Sequence, residues 1–234
     1  MTVPNLQNHG FSEDYQAIYD AAYRYSREEL YPLSEKMDLE DWFPEDTYRG
    51  LAEHGLLGTT VDPKYGGGGL DVLAQCFISE ATSYWNHSFS ACLLASENLC
   101  VNNLVRNANE DQKREYLPKF CNGTAIGALG LTEPGAGSDA LGSMATTAVR
   151  DGDDYVLNGR KLFITNGPVA DLLLIYAKTD PAKGPHGISA FIVEKSFPGF
   201  KVAQKLNKMG WRGSPTGELV FDDCRVPAGN LVGM

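Results

Sequence analysis

The segment richest in groups able to do chemistry is Ala128-Leu-Gly-Leu-Thr-Glu-Pro-Gly-Ala-Gly-Ser-Asp139. It is a short strand running into a loop with two glycines, a proline, two hydroxyls and two acids. Gly135 and Gly137 leave their backbone N–H groups uncovered, so an anion or a carbonyl-rich ring can approach closely. Thr132 and Ser138 add hydroxyls that donate or accept. A tight surface turn would use the same residues, and the loop alone does not choose between the two. Further along, Lys161-Leu-Phe-Ile-Thr-Asn-Gly167 alternates across a strand, which puts Phe163 and Thr165 on one face. An aromatic surface beside a hydroxyl suits a flat cofactor needing one hydrogen bond. Two neighbours in an ordinary core would look the same, and taken alone this segment favours the core.

Other motifs carry less. Gly135-x-Gly137-x-x-Ala140 fits the dinucleotide fingerprint and follows a strand, but that fingerprint needs a helix opening at its glycines. Gly142-Ser143 and β-favouring residues follow instead, so no helix is expected and a nicotinamide site is the weaker reading. The Gly66-Gly-Gly-Gly69 run lacks the Lys-Ser/Thr pair of a P-loop and reads as a connector. Glu133, the acid inside the loop, is expected to accept N–H bonds of its own turn, and no catalytic residue is named. Histidines 9, 54, 87 and 186 are scattered without ligand spacing, so no metal is expected. The five cysteines (76, 92, 100, 121 and 224) include no C-x-x-C pair, and four lie in helical or apolar contexts. They read as buried free thiols of a reducing compartment.

The elements that must position these groups fall into two halves. Up to about residue 123 the apolar spacing is helical. Ser12 is placed to cap a helix with Glu13 and Asp14 in its first turn, and Pro32 follows closely enough to end it. Pro44 opens a second helix stopped by Gly55, Asp71 caps a third, and a fourth covers about 89–105. Asn109 with Gln112 resembles a capping box for another, which Pro118 interrupts. From about Ala125 short strands are predicted at 144–149, 155–157, 161–165, 172–177, 188–193 and 218–221, with Asp151-Gly152 as a hairpin turn. The fold class expected is α+β: an all-α domain over residues 1–123, then a small antiparallel barrel or sandwich over 124–234.

Composition narrows the partners. A net charge of -10 argues against nucleic acid, since nothing would offset phosphate repulsion. No apolar run approaches a membrane span, and the N-terminus shows neither a secretory nor an import pattern, so a cytoplasmic protein is expected.

Six segments, taken in order and spacing, resemble the acyl-CoA dehydrogenase family over almost the whole chain. They are Leu56-Leu-Gly-Thr-Thr-Val-Asp-Pro-Lys-Tyr-Gly-Gly-Gly-Gly-Leu-Asp71, Asp111-Gln-Lys-Arg-Glu-Tyr-Leu-Pro118, Thr132-Glu-Pro-Gly-Ala-Gly-Ser-Asp139, Leu157-Asn-Gly-x-Lys-x-x-Ile-Thr-Asn-Gly167, Lys208-Met-Gly-Trp-Arg-Gly-Ser214 and Phe221-Asp-Asp-Cys-Arg-Val-Pro227. The resemblance implies a helical domain, a middle β-barrel and a C-terminal four-helix domain, with FAD lying against the barrel. It implies that Leu129, Leu131, Thr132, Gly137 and Ser138 line the flavin ring and pyrophosphate, with Thr132 on the pyrimidine edge. Thr165 would bond near flavin N5, flanked by Ile164 and by Phe163, which stands where many members have Trp. Ser138 would also touch the acyl-CoA. Family members remove an α-proton with a glutamate while the β-hydride passes to the flavin, and an electron-transfer flavoprotein takes the electrons.

Within the family, Glu97-Asn-Leu-Cys-Val-Asn-Asn-Leu-Val-Arg-Asn-Ala-Asn109 and Tyr176-Ala-Lys-Thr-Asp180 most resemble isovaleryl-CoA dehydrogenase-like members. The sequence stops at Met234, where the family's C-terminal four-helix domain would begin. The expectation is therefore a truncated or split enzyme without its catalytic base, needing the missing domain or an oligomeric partner. The alternatives are a non-catalytic partner subunit keeping the fold, and a nicotinamide-dependent dehydrogenase.

Overall fold

The computed structural model describes residues 4–233. Helices fill the chain up to Cys121 and strands dominate from Gly127. Helix α1 (Glu13–Tyr25) starts at Ser12, whose backbone is extended but whose hydroxyl makes no capping bond. Pro32 does not end it. The helical path runs on through a π-turn at Ser26–Leu30 and a 3-10 turn at Tyr31–Leu33 into α2 (Ser34–Glu40). Pro32 sits at the start of that tighter turn, where a missing N–H costs little. Helix α3 (Glu45–Gly50) begins after Pro44 and, through a 3-10 turn, reaches Gly55 at φ +66. Asp71 caps α4 (Val72–Trp85) by accepting from the Ala74 N–H at 2.9 Å.

Helices α5 (His87–Leu94) and α6 (Asn102–Asn107) flank a second π-turn, Ala95–Val101. The capping box of Asn109 and Gln112 opens α7 (Glu110–Cys121), and Pro118 lies inside the helix without interrupting it. Its fixed φ is helical, and burial of Tyr116, Leu117 and Phe120 on either side offsets the lost bond.

Strands β1 (Gly127–Gly130), β2 (Thr147–Asp151), β3 (Asp154–Thr165), β4 (Leu172–Lys178), β5 (Ile188–Glu194), β6 (Phe200–Lys205), β7 (Thr216–Pro227) and β8 (Leu231–Val232) form one sheet. Its order is β6-β7-β3-β2-β4-β5-β8, with β1 added beside β4. Pairing is antiparallel apart from β1 with β4 and a single parallel pairing of Thr147 with Lys178. The strands expected at 155–157 and 161–165 are one strand, β3, with register shifts between Leu157 and Gly159 and between Lys161 and Ile164.

A one-turn helix, α8 (Ala140–Ser143), follows the glycine loop where none was expected. One turn offers little dipole, and the strand after it pairs with β3 and β4 rather than with β1. That is not a dinucleotide-binding βαβ unit.

Strand β4 explains how the halves hold together. Leu173, Ile175 and Ala177 face the sheet interior with Leu157, Phe191 and Phe221. Leu172 and Leu174 face the other way, into a cluster with Leu104, Leu117 and Phe120 of the helices. A strand buried on both faces reads as the unbroken apolar run seen in the sequence.

Candidate functional site

The glycine loop is built onto β3. The Thr132 carbonyl accepts from the Leu162 N–H at 2.9 Å, and Glu133 and Ala136 exchange two backbone bonds of 3.1 Å that close the turn between them. The Glu133 side chain is buried, and its bonds do not go to its own turn as expected. Its carboxylate accepts from the Ala145 N–H at 2.6 Å, the Thr146 N–H at 3.0 Å and the Lys161 ammonium at 2.7 Å. The same ammonium donates to the Leu131 carbonyl at 3.2 Å. Burial pushes the Glu133 carboxyl up, but Lys161, Thr146 and Ala145 outweigh it and hold it below the usual carboxylate range. Burial lowers Lys161, and Glu133 offsets this in part.

Lys161 was missed because strict alternation puts it on one face with Phe163 and Thr165, where only those two were weighed, and the core reading of that face fails for Phe163. The register shift between Lys161 and Ile164, with Phe163 at φ +61, reverses the alternation. Lys161 therefore points inward at 0% exposure, while Phe163 stands 63% exposed. Ile164 is buried in the sheet core, so only its main chain remains for a ligand. Thr165 is half-buried on the Phe163 side.

Beyond Thr165 the chain turns through Asn166 at φ +64. Its buried side-chain amide donates to the Cys92 carbonyl of α5 at 2.8 Å and the Gly127 carbonyl of β1 at 3.0 Å. Asn166 thus anchors Thr165 to helix and strand together. In the sequence Asn166 stood within the Leu157–Gly167 segment and before Gly167, with no sign of these partners.

Leu129, Leu131 and Thr132 are half-buried, and Gly137 and Ser138 are exposed. A Cβ at Gly137 would meet nothing within 4 Å, so the space over the loop is open. The structure brings the loop and the end of β3 side by side through the Thr132–Leu162 and Lys161 bonds. Three residues past Ser138, Leu141 enters the wall of a cleft of about 550 Å³ lined also by Asn103, Leu174, Tyr176 and Ile188.

Four of the five cysteines are inert in place. All five cysteines are free; Cys76 is exposed and the other four are buried. Burial pushes Cys92 and Cys100 up to about 12 and Cys121 and Cys224 to about 11, far from thiolate chemistry. Among the described residues no group of three His, Cys, Asp or Glu side chains is placed to hold a metal, and no helix is long and apolar enough to cross a membrane.

Comparison with known proteins decides the family. The model for "Acyl-CoA dehydrogenase, N-terminal domain" matches residues 12–124, and that for "Acyl-CoA dehydrogenase, middle domain" matches 128–224. The chain belongs to the acyl-CoA dehydrogenase family. It is 45% identical over 228 residues to mitochondrial isovaleryl-CoA dehydrogenase of Pongo abelii, covering 96% of this chain and 54% of that one. It is 45% identical over 212 residues to mitochondrial 2-methylacyl-CoA dehydrogenase of Solanum tuberosum, covering 90% and 51%. Among solved acyl-CoA dehydrogenases, butyryl-CoA dehydrogenase from Megasphaera elsdenii superposes with a TM-score of 0.91 at 37% identity, covering 96% of this chain and 59% of that one. A chain from work on the electron transferring flavoprotein of Acidaminococcus fermentans superposes at 0.93 and 42% identity, with the same coverage. The chain thus spans about half the length of the curated relatives it matches. The glycine loop and β3 both lie within the middle-domain match.

Proposed function

We propose that this chain is the flavin-holding part of an acyl-CoA dehydrogenase acting on a short or branched acyl-CoA. One observation carries the reading. The bonds from Lys161 and Leu162 bring Thr132 of the glycine loop beside the strand end that presents Phe163 and Thr165. The residues fit FAD: Phe163 offers an exposed aromatic face, Thr132 and Thr165 are half-buried hydroxyl side chains, and Gly137 leaves open space. Thr132 and Thr165 would hold the ring's polar edge, Leu129 and Leu131 would pack on it, and the main chain at Ile164 would complete the wall. Gly137 and Ser138 would reach the pyrophosphate, with Ser138 also touching the thioester ligand. When bound, FAD supplies the hydride acceptor. The protein's part is to hold ring and thioester together and keep water away. The branched-acyl preference rests on the isovaleryl- and 2-methylacyl-CoA relatives, and an electron-transfer flavoprotein is the acceptor proposed.

The test is reconstitution of the purified chain with FAD. Retained yellow colour and stoichiometric release of FAD on denaturation are expected. A colourless protein that ignores FAD in titration would overturn the reading in favour of a subunit that keeps only the fold.

A further inference from the structure

We propose that Lys161 is a positioning residue for the flavin: its ion pair with Glu133 sets the shape of the loop that holds the ring. This rests on the flavin reading above. The loop has little to fix it from within. Beyond the two bonds between Glu133 and Ala136, residues 131–133 are held from outside. Lys161 takes the Leu131 carbonyl, Leu162 takes the Thr132 carbonyl, and the Glu133 carboxylate gathers Lys161 with the N–H groups of Ala145 and Thr146.

Lys161 is thus the side chain that joins both flanks of Thr132. Its position follows from the bulge, since the register shift that turns Phe163 outward leaves Lys161 inside. Gly130 leaves room for the lysine stem, because a Cβ there would lie 3.3 Å from the Lys161 Cγ and 2.5 Å from Ile175. One bulge therefore presents the aromatic face and anchors the loop beside it. A buried charge pair held by several hydrogen bonds is a weak device for stability but an effective one for fixing geometry.

Lys161→Met keeps the apolar stem and removes the charge. Lys161→Met with Glu133→Gln also avoids leaving an unpaired buried carboxylate, and serves if the single variant does not fold. FAD affinity of the full chain is read by flavin fluorescence titration. The visible spectrum and midpoint potential of bound flavin are read at saturating FAD, and amide exchange of Ala145, Thr146 and Leu162 is followed without FAD. The expected result is FAD binding weakened about tenfold or more, a shifted spectrum and potential, and faster exchange at those three amides. Exchange in the helices should stay as in the parent.

A lysine that served only the fold would leave the spectrum and potential of the bound fraction unmoved. Parental affinity, potential and exchange in a folded variant would overturn the proposal. Failure of the parent itself to bind FAD would instead overturn the flavin reading, while faster loop exchange in the variants would still show what Lys161 holds.

Discussion

At the scale of single residues, the hydroxyls and one buried acid make distinct predictions. Thr165→Ala removes one proposed flavin hydrogen bond, so FAD affinity should fall by about 0.5–1.5 kcal/mol and the flavin potential should move. Ser138→Ala should weaken FAD and acyl-CoA together. Titrations showing both affinities unchanged would remove these residues from the site.

Glu97 is a different case. It is buried on the π-turn between α5 and α6, accepts weakly from the Thr59 N–H at 3.4 Å, and has a second oxygen without a partner. Burial raises its carboxyl from 4.5 to about 7, against the pull of the Gly58 and Thr59 N–H groups. The folded protein keeps a proton that the unfolded chain releases near 4.5. Its contribution is therefore complete below pH 4.5 and is lost as pH rises towards 7. The loss amounts to roughly 3 kcal/mol. Glu97→Gln cannot ionise, so its urea stability should lack that decline and exceed the parent's at pH 8. An identical decline in both proteins between pH 5 and 8 would exclude Glu97 as the cause.

At the scale of elements, α7 is the seam. Gln112 completes the capping box and also donates to the carbonyls of Gly229 and Leu231, at 2.7 and 2.8 Å, next to β8. Asn230 reinforces the seam by donating to the Tyr116 hydroxyl and the Ile192 carbonyl. Gln112→Ala leaves two carbonyls unpaired beneath the helix and should cost about 2–3 kcal/mol, with exchange quickening first at β8. Loss of only the few tenths typical of a surface change would mean that water replaces both bonds. The box itself was legible in the sequence because capping is local, as was the Asp71 cap of α4. Pro32 and Pro118 were misread because each is tolerated by neighbouring turns and packing that no local pattern records. Strand β6 was missed because its side chains are almost all exposed, leaving no alternation to see. Lys161 was missed for a deeper reason: its partner lies 28 residues earlier, and only the bulge turns it inward.

At the scale of the whole molecule, the order of motifs carried the family assignment, while reactivity depends on what surrounds the loop. Both of its carboxylates already have partners. Glu133 is held by Lys161 and two backbone N–H groups, and Asp139 accepts from the Ser143 hydroxyl. Glu97 lies in the helical core, facing the Gly58–Thr59 turn rather than the loop. A carboxylate held below its ordinary range by an ammonium is a poor base, and a positioned general base is typically worth ~10²–10⁴-fold in rate. We therefore expect these 234 residues, loaded with FAD, not to desaturate acyl-CoA alone. The measurement is anaerobic mixing with isovaleryl-CoA and several straight-chain acyl-CoAs, following flavin bleaching and enoyl-CoA formation. Bleaching that begins only when a helical domain carrying a carboxylate is supplied in trans is the result expected. Bleaching by the chain on its own would show that one of its own carboxylates reaches the α-proton, and the first to test would be Glu133, by Glu133→Gln.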